Sequence, residues 1–245
     1  MDIIELLPRL HLLRFPVGQA YLWHDGEEST LIDAGVIGSG RTIAEALPAL
    51  GRAPRDVRRV VLTHFHEDHA GGAGEFAALS GAEVLAHHLD APFIQGERPG
   101  PPPRFEDWER PVHAEAVRHL PEGTPVPPPA VTGLADGDVL GFGGGAQVIH
   151  VPGHTDGSIA LFLPAEGVLF TGDTVAAAPA DGTPMPGVFN LDRPQLLASI
   201  SRLAELGAEV ACFGHGAPVM TGASAVLRSL GQGLPSGSGP HPGPA

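Results

Sequence analysis

Three imidazoles and two carboxylates crowd into six positions of Thr63-His64-Phe65-His66-Glu67-Asp68-His69. Clusters of this kind are rarely left uncompensated, so the chemistry they point to is metal ligation rather than a solvated turn. The run follows Val57-Arg58-Arg59-Val60-Val61-Leu62, an apolar stretch of strand length, and precedes Ala70-Gly71-Gly72-Ala73-Gly74, which leads into a helix. It therefore belongs on a loop at the end of a strand. Alternate residues of an extended chain point the same way, so His64 and His66 converge on one ion, while Asp68 and His69, past the turn, reach a second.

Three further positions complete the set: His154 in Pro152-Gly153-His154-Thr155, Asp173 in Phe170-Thr171-Gly172-Asp173-Thr174, and His215 in Gly214-His215-Gly216. Each follows a strand candidate and has a glycine beside it, which places it on a tight loop at a strand end. Asp33 closes the apolar run Leu31-Ile32. It reads either as a turn or cap residue or as the acceptor of a ligand imidazole's outer N–H.

The elements that must carry these loops fall into two similar series. In the first, strands are predicted at Leu10 to Phe15, Ala20 to His24 and Thr30 to Asp33, with Asp25-Gly26-Glu27 as a hairpin turn. A helix from Ile43 to Leu50, a strand from Asp56 to Leu62, a helix from Glu75 to Leu79 and a strand from Glu83 to Ala86 follow, and His87-His88-Leu89-Asp90 starts a short helix. His87 and His88 are ordinary histidines in this reading.

In the second series Thr132 to Asp138 is a turn, and strands are expected at Val139 to Phe142, Gln147 to Val151, Ile159 to Leu163 and Val168 to Thr171. A loop runs from Ala176 to Gly187. A helix from Arg193 to Leu206, capped by Asp192, a closing strand from Ala208 to Phe213 and a helix from Ser224 to Leu230 end it. Between the two series, residues 92–130 are rich in proline and read as an irregular insert, a lid or a substrate wall. Residues 1–230 are expected to form one domain, and the Gly/Pro/Ser stretch 231–245 a disordered tail.

The formal net charge of -14, with arginine as the sole Lys/Arg-type cation, disfavours nucleic acid as a partner and leaves a small molecule as the expected one. One cysteine, Cys212, excludes an internal disulfide and a cysteine-rich zinc module, and its apolar neighbours suit a buried hydrophobe. The first residues, with Asp2, Glu5 and Pro8, lack the pattern of a signal peptide. No window reaches membrane-spanning length, so no membrane partner and a cytoplasmic location are expected.

Taken together and in this order, the T-H-x-H-x-D-H, P-G-H-T, F-T-G-D-T and G-H-G motifs resemble the metallo-β-lactamase fold hydrolases over roughly residues 10 to 220. The resemblance implies an α/β four-layer αββα sandwich, with two mixed sheets and outer helices, and two divalent ions, zinc in the first instance with iron or manganese as substitutes. It puts His64, His66 and His154 on the first ion, Asp68, His69 and His215 on the second, Asp173 between them and Asp33 behind a ligand.

Flavodiiron proteins of the fold carry Glu where His66 stands, and true β-lactamases usually lack the carboxylate that Asp173 supplies. The motif around Asp173 is most similar to glyoxalase II. Two features depart from the relatives: there is no lysine for holding glutathione, and Ala176 occupies the place where lactonases often have tyrosine, Tyr21 being the only tyrosine in the chain.

What the resemblance implies is a hydrolase that cleaves an ester, thioester or lactone with a metal-bridging hydroxide, Asp68 orienting it and handing a proton to the leaving group. The alternatives are a persulfide dioxygenase with a single iron, a metal-stabilised binding module and a phosphodiesterase.

Overall fold

The structure, a computed structural model, describes residues 1–231. Of the expected tail 231–245, all but Gly231 lies outside the described residues.

Strands β1 (Asp2–Leu7), β2 (Leu10–Arg14), β3 (Gln19–Asp25), β4 (Glu28–Ile32), β5 (Val57–Val61), β6 (Glu83–His87) and β7 (Thr132–Leu134) form a seven-stranded sheet in that order. Pairing is antiparallel from β1 to β4 and parallel from β4 to β7. Strands β8 (Val139–Leu140), β9 (Ala146–His150), β10 (Ile159–Leu163) and β11 (Val168–Gly172) continue the chain, followed by a hairpin of β12 (Val175–Ala177) and β13 (Pro184–Pro186) and by β14 (Val210–Phe213). The second sheet runs β14-β11-β10-β9-β8 and is antiparallel except for the β11–β14 pair. Helices α1 (Ser39–Ala46), α2 (Glu67–Ala70), α3 (Ala73–Ser80), α4 (Ala91–Ile94), α5 (Glu109–Arg118), α6 (Arg193–Ala204) and α7 (Ala223–Gly231) complete the order.

The period of two in the strands sorts their side chains into layers. On β3 and β4, Leu22 and Leu31 face one way, into a core shared with Ile43 of α1 and Phe76 of α3. Their neighbours Tyr21, Trp23 and Ile32 face the other way and pack against Leu161, Phe170 and Cys212 of the second sheet. The outer face of that sheet, with Ile149, Ala160 and Leu169, takes Leu196, Ile200 and Leu203 of α6 and Leu227 of α7. Three apolar interlayers separate four layers, which is the expected αββα sandwich. Phe76 is fully buried in the first interlayer. Phe76→Ala is expected to cost about 3–5 kcal/mol of unfolding free energy, read as a shift of the denaturation midpoint.

The α6 helix starts as expected, with Asp192 Oδ1 accepting from Gln195 N at 2.9 Å. Several elements differ from the sequence reading. The β1 strand is an additional edge strand. The stretch Thr132–Leu134, read as part of a turn, pairs in parallel with β6. The loop expected from Ala176 to Gly187 contains the β12–β13 hairpin. His87 ends a strand, and the short helix starts only at Ala91. The insert 92–130 is not irregular throughout, since it holds the ten-residue α5. None of the helices among the described residues is long and apolar enough to cross a membrane.

Strands β4 and β5 run parallel, as do β11 and β14, and β9 shares the direction of β11 through β10. The loops after β4, β5, β9, β11 and β14 therefore open on one edge of the sandwich. Ile159 N donates to Thr63 O at 2.9 Å and joins the two sheets there.

Candidate metal centre

All seven residues singled out in the sequence meet at this edge. His64, His66 and His154 bring ligand atoms within 4.8 Å of one another; so do His64, His69 and Asp173, and so do Asp68, His69 and His215. Asp173 stands between the two outer sets, with Oδ2 3.6 Å from His154 Nε2 and 3.3 Å from His215 Nε2. His66 Nδ1 lies 3.1 Å from His64 Nε2 and 2.9 Å from His154 Nε2, and His69 Nε2 lies 3.4 Å from His215 Nε2. Nitrogens about 2.0–2.1 Å from a tetrahedral ion sit about 3.4 Å apart, so the spacing is that of ligands around cations.

The outer hydrogen bonds fix which ring nitrogen is free. Thr63 donates its N–H to Asp33 Oδ1 at 2.7 Å and its hydroxyl to Asp33 Oδ2 at 2.9 Å, leaving Thr63 Oγ1 to accept His64 Nδ1–H at 3.0 Å. His69 Nδ1–H donates to Asp33 Oδ2 at 2.8 Å, and His154 Nδ1–H to Asn190 Oδ1 at 3.2 Å. Each ring then turns Nε2 inward, where it offers a lone pair once it carries no proton. Asp173 Oδ1 is buried without a hydrogen-bond partner, 3.3 Å from His69 Nε2. Converging lone pairs beside an unpartnered carboxylate oxygen leave a place that a divalent cation fits, and the His/Asp donor set suits one.

Burial pushes His64, His66 and His154 down, His66 to about 3, with neighbouring imidazoles adding to this and Asp173 opposing it, so these rings are neutral at pH 7 and ready to ligate. Burial also opposes charge on His69 and His215. There Asp173 and Asp68 outweigh it, lifting His69 well above the usual imidazole range and His215 to about 10.

Protonation thus occupies the second set at neutral pH until cations replace it. A folded-state pKa that is raised means the proton is held below that value and must leave for a ligand bond to form. Zinc uptake by metal-free protein at pH 7 is expected to release protons, with affinity rising as pH climbs toward about 10. Calorimetry in buffers of different ionisation enthalpy checks this; uptake without proton release contradicts it.

Asp33 serves both of the roles open to it in the sequence: it holds the turn after β4 at φ 60° and accepts from His69. Two residues that sequence reasoning passed over also hold the loops. Asn190 orients His154 and itself donates Nδ2–H to Gly187 O at 2.7 Å. Gln19 donates Nε2–H to Phe213 O and Gly216 O, each at 2.9 Å, on either side of His215. Neither has a motif that marks it. Tyr21 donates its hydroxyl to Phe213 O at 2.7 Å and lies buried, so it supports the His215 loop rather than facing a substrate. Cys212 is buried, and burial pushes its thiol up. His87 is buried and stacks on His150 at 4.1 Å, apart from the converging set.

The Metallo-beta-lactamase superfamily model matches residues 13–215, most of the chain and every residue of this centre. The chain belongs to the metallo-beta-lactamase superfamily. Members of this superfamily typically bind divalent metals, and the His/Asp clusters here are able to hold them.

Among relatives within the superfamily, a hydroxyacylglutathione hydrolase of Rhodobacter capsulatus is 29% identical over 220 residues, covering 87% of this chain and 68% of that protein. One from Fuscovulum blasticum is 30% identical over 204 residues, covering 80% of this chain and 61% of that protein. The match thus spans about two thirds of the length of these relatives. Among solved structures, a metallo-beta-lactamase family protein from Thermus thermophilus superposes with a TM-score of 0.65 at 30% identity, covering 93% of this chain and 78% of that one.

Proposed function

We propose that the chain is a dinuclear metal-dependent hydrolase of an ester, thioester or lactone, with zinc as the native ion. The observation that carries the reading is the position of Asp173, whose carboxylate lies between the three-histidine set and the Asp68-His69-His215 set. A mononuclear iron site of the persulfide dioxygenase type uses one set and leaves the other unexplained.

Divalent ions held by these residues would supply Lewis acidity toward the acyl oxygen and would acidify a bound water from 15.7 to about 7. The protein's own groups do the rest. Asp173 and Asp68 keep their charge despite being largely buried because the protonated His69 and His215 face them, and bound cations would take over that role when those rings ligate. Asp68, partly exposed and 3.1 Å from His215 Nε2, is placed to accept the proton lost by the attacking water and return it to the leaving group.

The walls define what is admitted. On the His66 side a hollow of about 220 Å³ is lined by Phe65, Phe93, Ile94 and Val126, the last three from the 92–130 insert. On the His215 side a groove of about 310 Å³ is lined by Leu12, Phe15 and Ile4, and apart from His215 itself its one cation, Arg14, is paired with Asp2 at 2.8 Å. Two mostly apolar walls around the centre suit a neutral acyl compound better than a polyanion, and the insert acts as a substrate wall. The hydroxyacylglutathione hydrolases among the relatives support the thioester class. The absence of lysine from this sequence argues against the same grip on glutathione.

The test is a panel of S-lactoylglutathione, acyl-homoserine lactones and aryl esters or thioesters of increasing acyl length. Turnover of at least one class, lost on chelation, is the expected result. Tight metal binding with no turnover across the panel leaves a metal-stabilised binding module instead. We place the protein in the cytoplasm with a small-molecule substrate and without nucleic acid or membrane partners, since the chain is acidic and lacks an apolar spanning helix among the described residues.

A further inference from the structure

Asp90 has no assigned role, and its position invites a bland one: it stands immediately before α4, where an aspartate ordinarily caps the helix. The structure excludes that role, because its side chain makes no cap hydrogen bond. The carboxylate is instead wholly buried and turned toward two other loops. Its Oδ2 accepts Phe65 N–H at 3.1 Å, between the ligand candidates His64 and His66. The same oxygen accepts the Thr155 hydroxyl at 2.8 Å, one residue beyond His154, and Oδ1 accepts Gly157 N–H at 2.9 Å.

One buried side chain thus fastens the loop after β5 to the loop after β9, and those two loops supply the whole three-histidine set. The fit is tight on the far side as well, since a Cβ on Gly157 would collide with Asp90 Oδ1. Asp33 makes a comparable tie on the other flank, to Thr63 and His69. A buried carboxylate that accepts three donors holds them with charge-assisted bonds, and removing it leaves the Phe65 and Gly157 N–H groups without that partner and the Thr155 hydroxyl with Ser158 Oγ alone, at 2.8 Å.

We infer that Asp90 is the positioning residue of the three-histidine site, setting the separation of the His64/His66 loop from His154 and thereby the affinity of the ion bound there. The inference rests on the dinuclear reading above. Supporting groups of this kind change metal affinity by about 10–100-fold when removed. Their effect is confined to the site whose ligands they aim.

The experiment is a stepwise zinc titration of metal-free protein against a chromogenic chelator, with cobalt absorption as a second readout. Wild type, Asp90→Ala and Asp90→Asn are compared with two reference variants, His154→Ala and His215→Ala, which report loss of the first and second site. Asp90→Ala is expected to weaken one ion by about 10–100-fold, to follow the His154→Ala pattern and to leave the other ion unchanged, with Asp90→Asn in between because one oxygen remains. If Asp90→Ala does not fold, Thr155→Val removes a single donor and is expected to weaken the same ion by a smaller factor.

Unchanged affinity at both sites overturns the inference while leaving the dinuclear reading intact. Equal weakening of both, together with a lower melting temperature of the metal-free protein, makes Asp90 a purely structural tie and overturns it too. A wild-type protein that binds no divalent ion removes the metal centre itself, and this inference with it.

Discussion

His66→Ala is expected to lower kcat/KM for any ester or thioester the protein turns over by at least about a thousandfold, roughly 4 kcal/mol of transition-state stabilisation. His66 Nδ1 sits between His64 Nε2 and His154 Nε2, at 3.1 and 2.9 Å, so its loss takes away the shared member of the three-histidine set. The ring packs against His64, His154 and Phe65 rather than within any of the three apolar interlayers. The variant is therefore expected to fold and to lose at least one ion, which elemental analysis of the purified protein reads directly. Full activity with both ions absent refutes the role.

The second large effect is expected at a residue that carries no functional group. A Cβ added at Gly214 would overlap Asp173 Oδ1 and lie 2.8 Å from His69 Cε1. Both neighbours are candidate ligands, His69 in the second set and Asp173 between the sets, and neither is the free end of a flexible surface chain. Asp173 must turn away or the end of β14 must shift. A displacement of this size at a reacting centre costs about a hundredfold in rate. Gly214→Ala is expected to lose about that much kcat/KM together with the more weakly held ion. Gly141→Ala, at a position with open space around it, serves as the control with unchanged kinetics. Equal activity in the two variants contradicts the geometry assigned to Asp173.

The parts of the site legible in the sequence are those whose ligands are close in the chain or sit beside glycines at strand ends. His64, His66, Asp68 and His69 announce themselves because a polar cluster directly after Val60-Val61-Leu62 has no other physical use. Alternation along β3 and β4 likewise exposes the sheet faces, since Leu22 and Leu31 must turn away from Tyr21, Trp23 and Ile32.

What stayed hidden depends on tertiary contact. The donors that face Asp90 come from residues 65, 155 and 157, and nothing local sets that aspartate apart from a helix cap. Asn190 follows Phe189, which stands at φ 60°, and no local pattern marks either residue. The α5 helix was obscured by Pro111, which looks like a breaker but falls in the first turn, where the missing N–H would have had no partner within the helix. Thr132–Leu134 is only three residues at a sheet edge, and its Gly133 mimics the turn that follows.

The central claim is that two divalent ions share one cavity and that the chemistry depends on them. Elemental analysis of protein purified without added metal, paired with hydrolysis of the ester, thioester and lactone panel before and after chelation, tests it most directly. The account predicts two divalent ions per chain, hydrolysis abolished by the chelator and hydrolysis restored when zinc is returned. A single iron per chain with oxygen uptake, or full hydrolysis by metal-free protein, would contradict it.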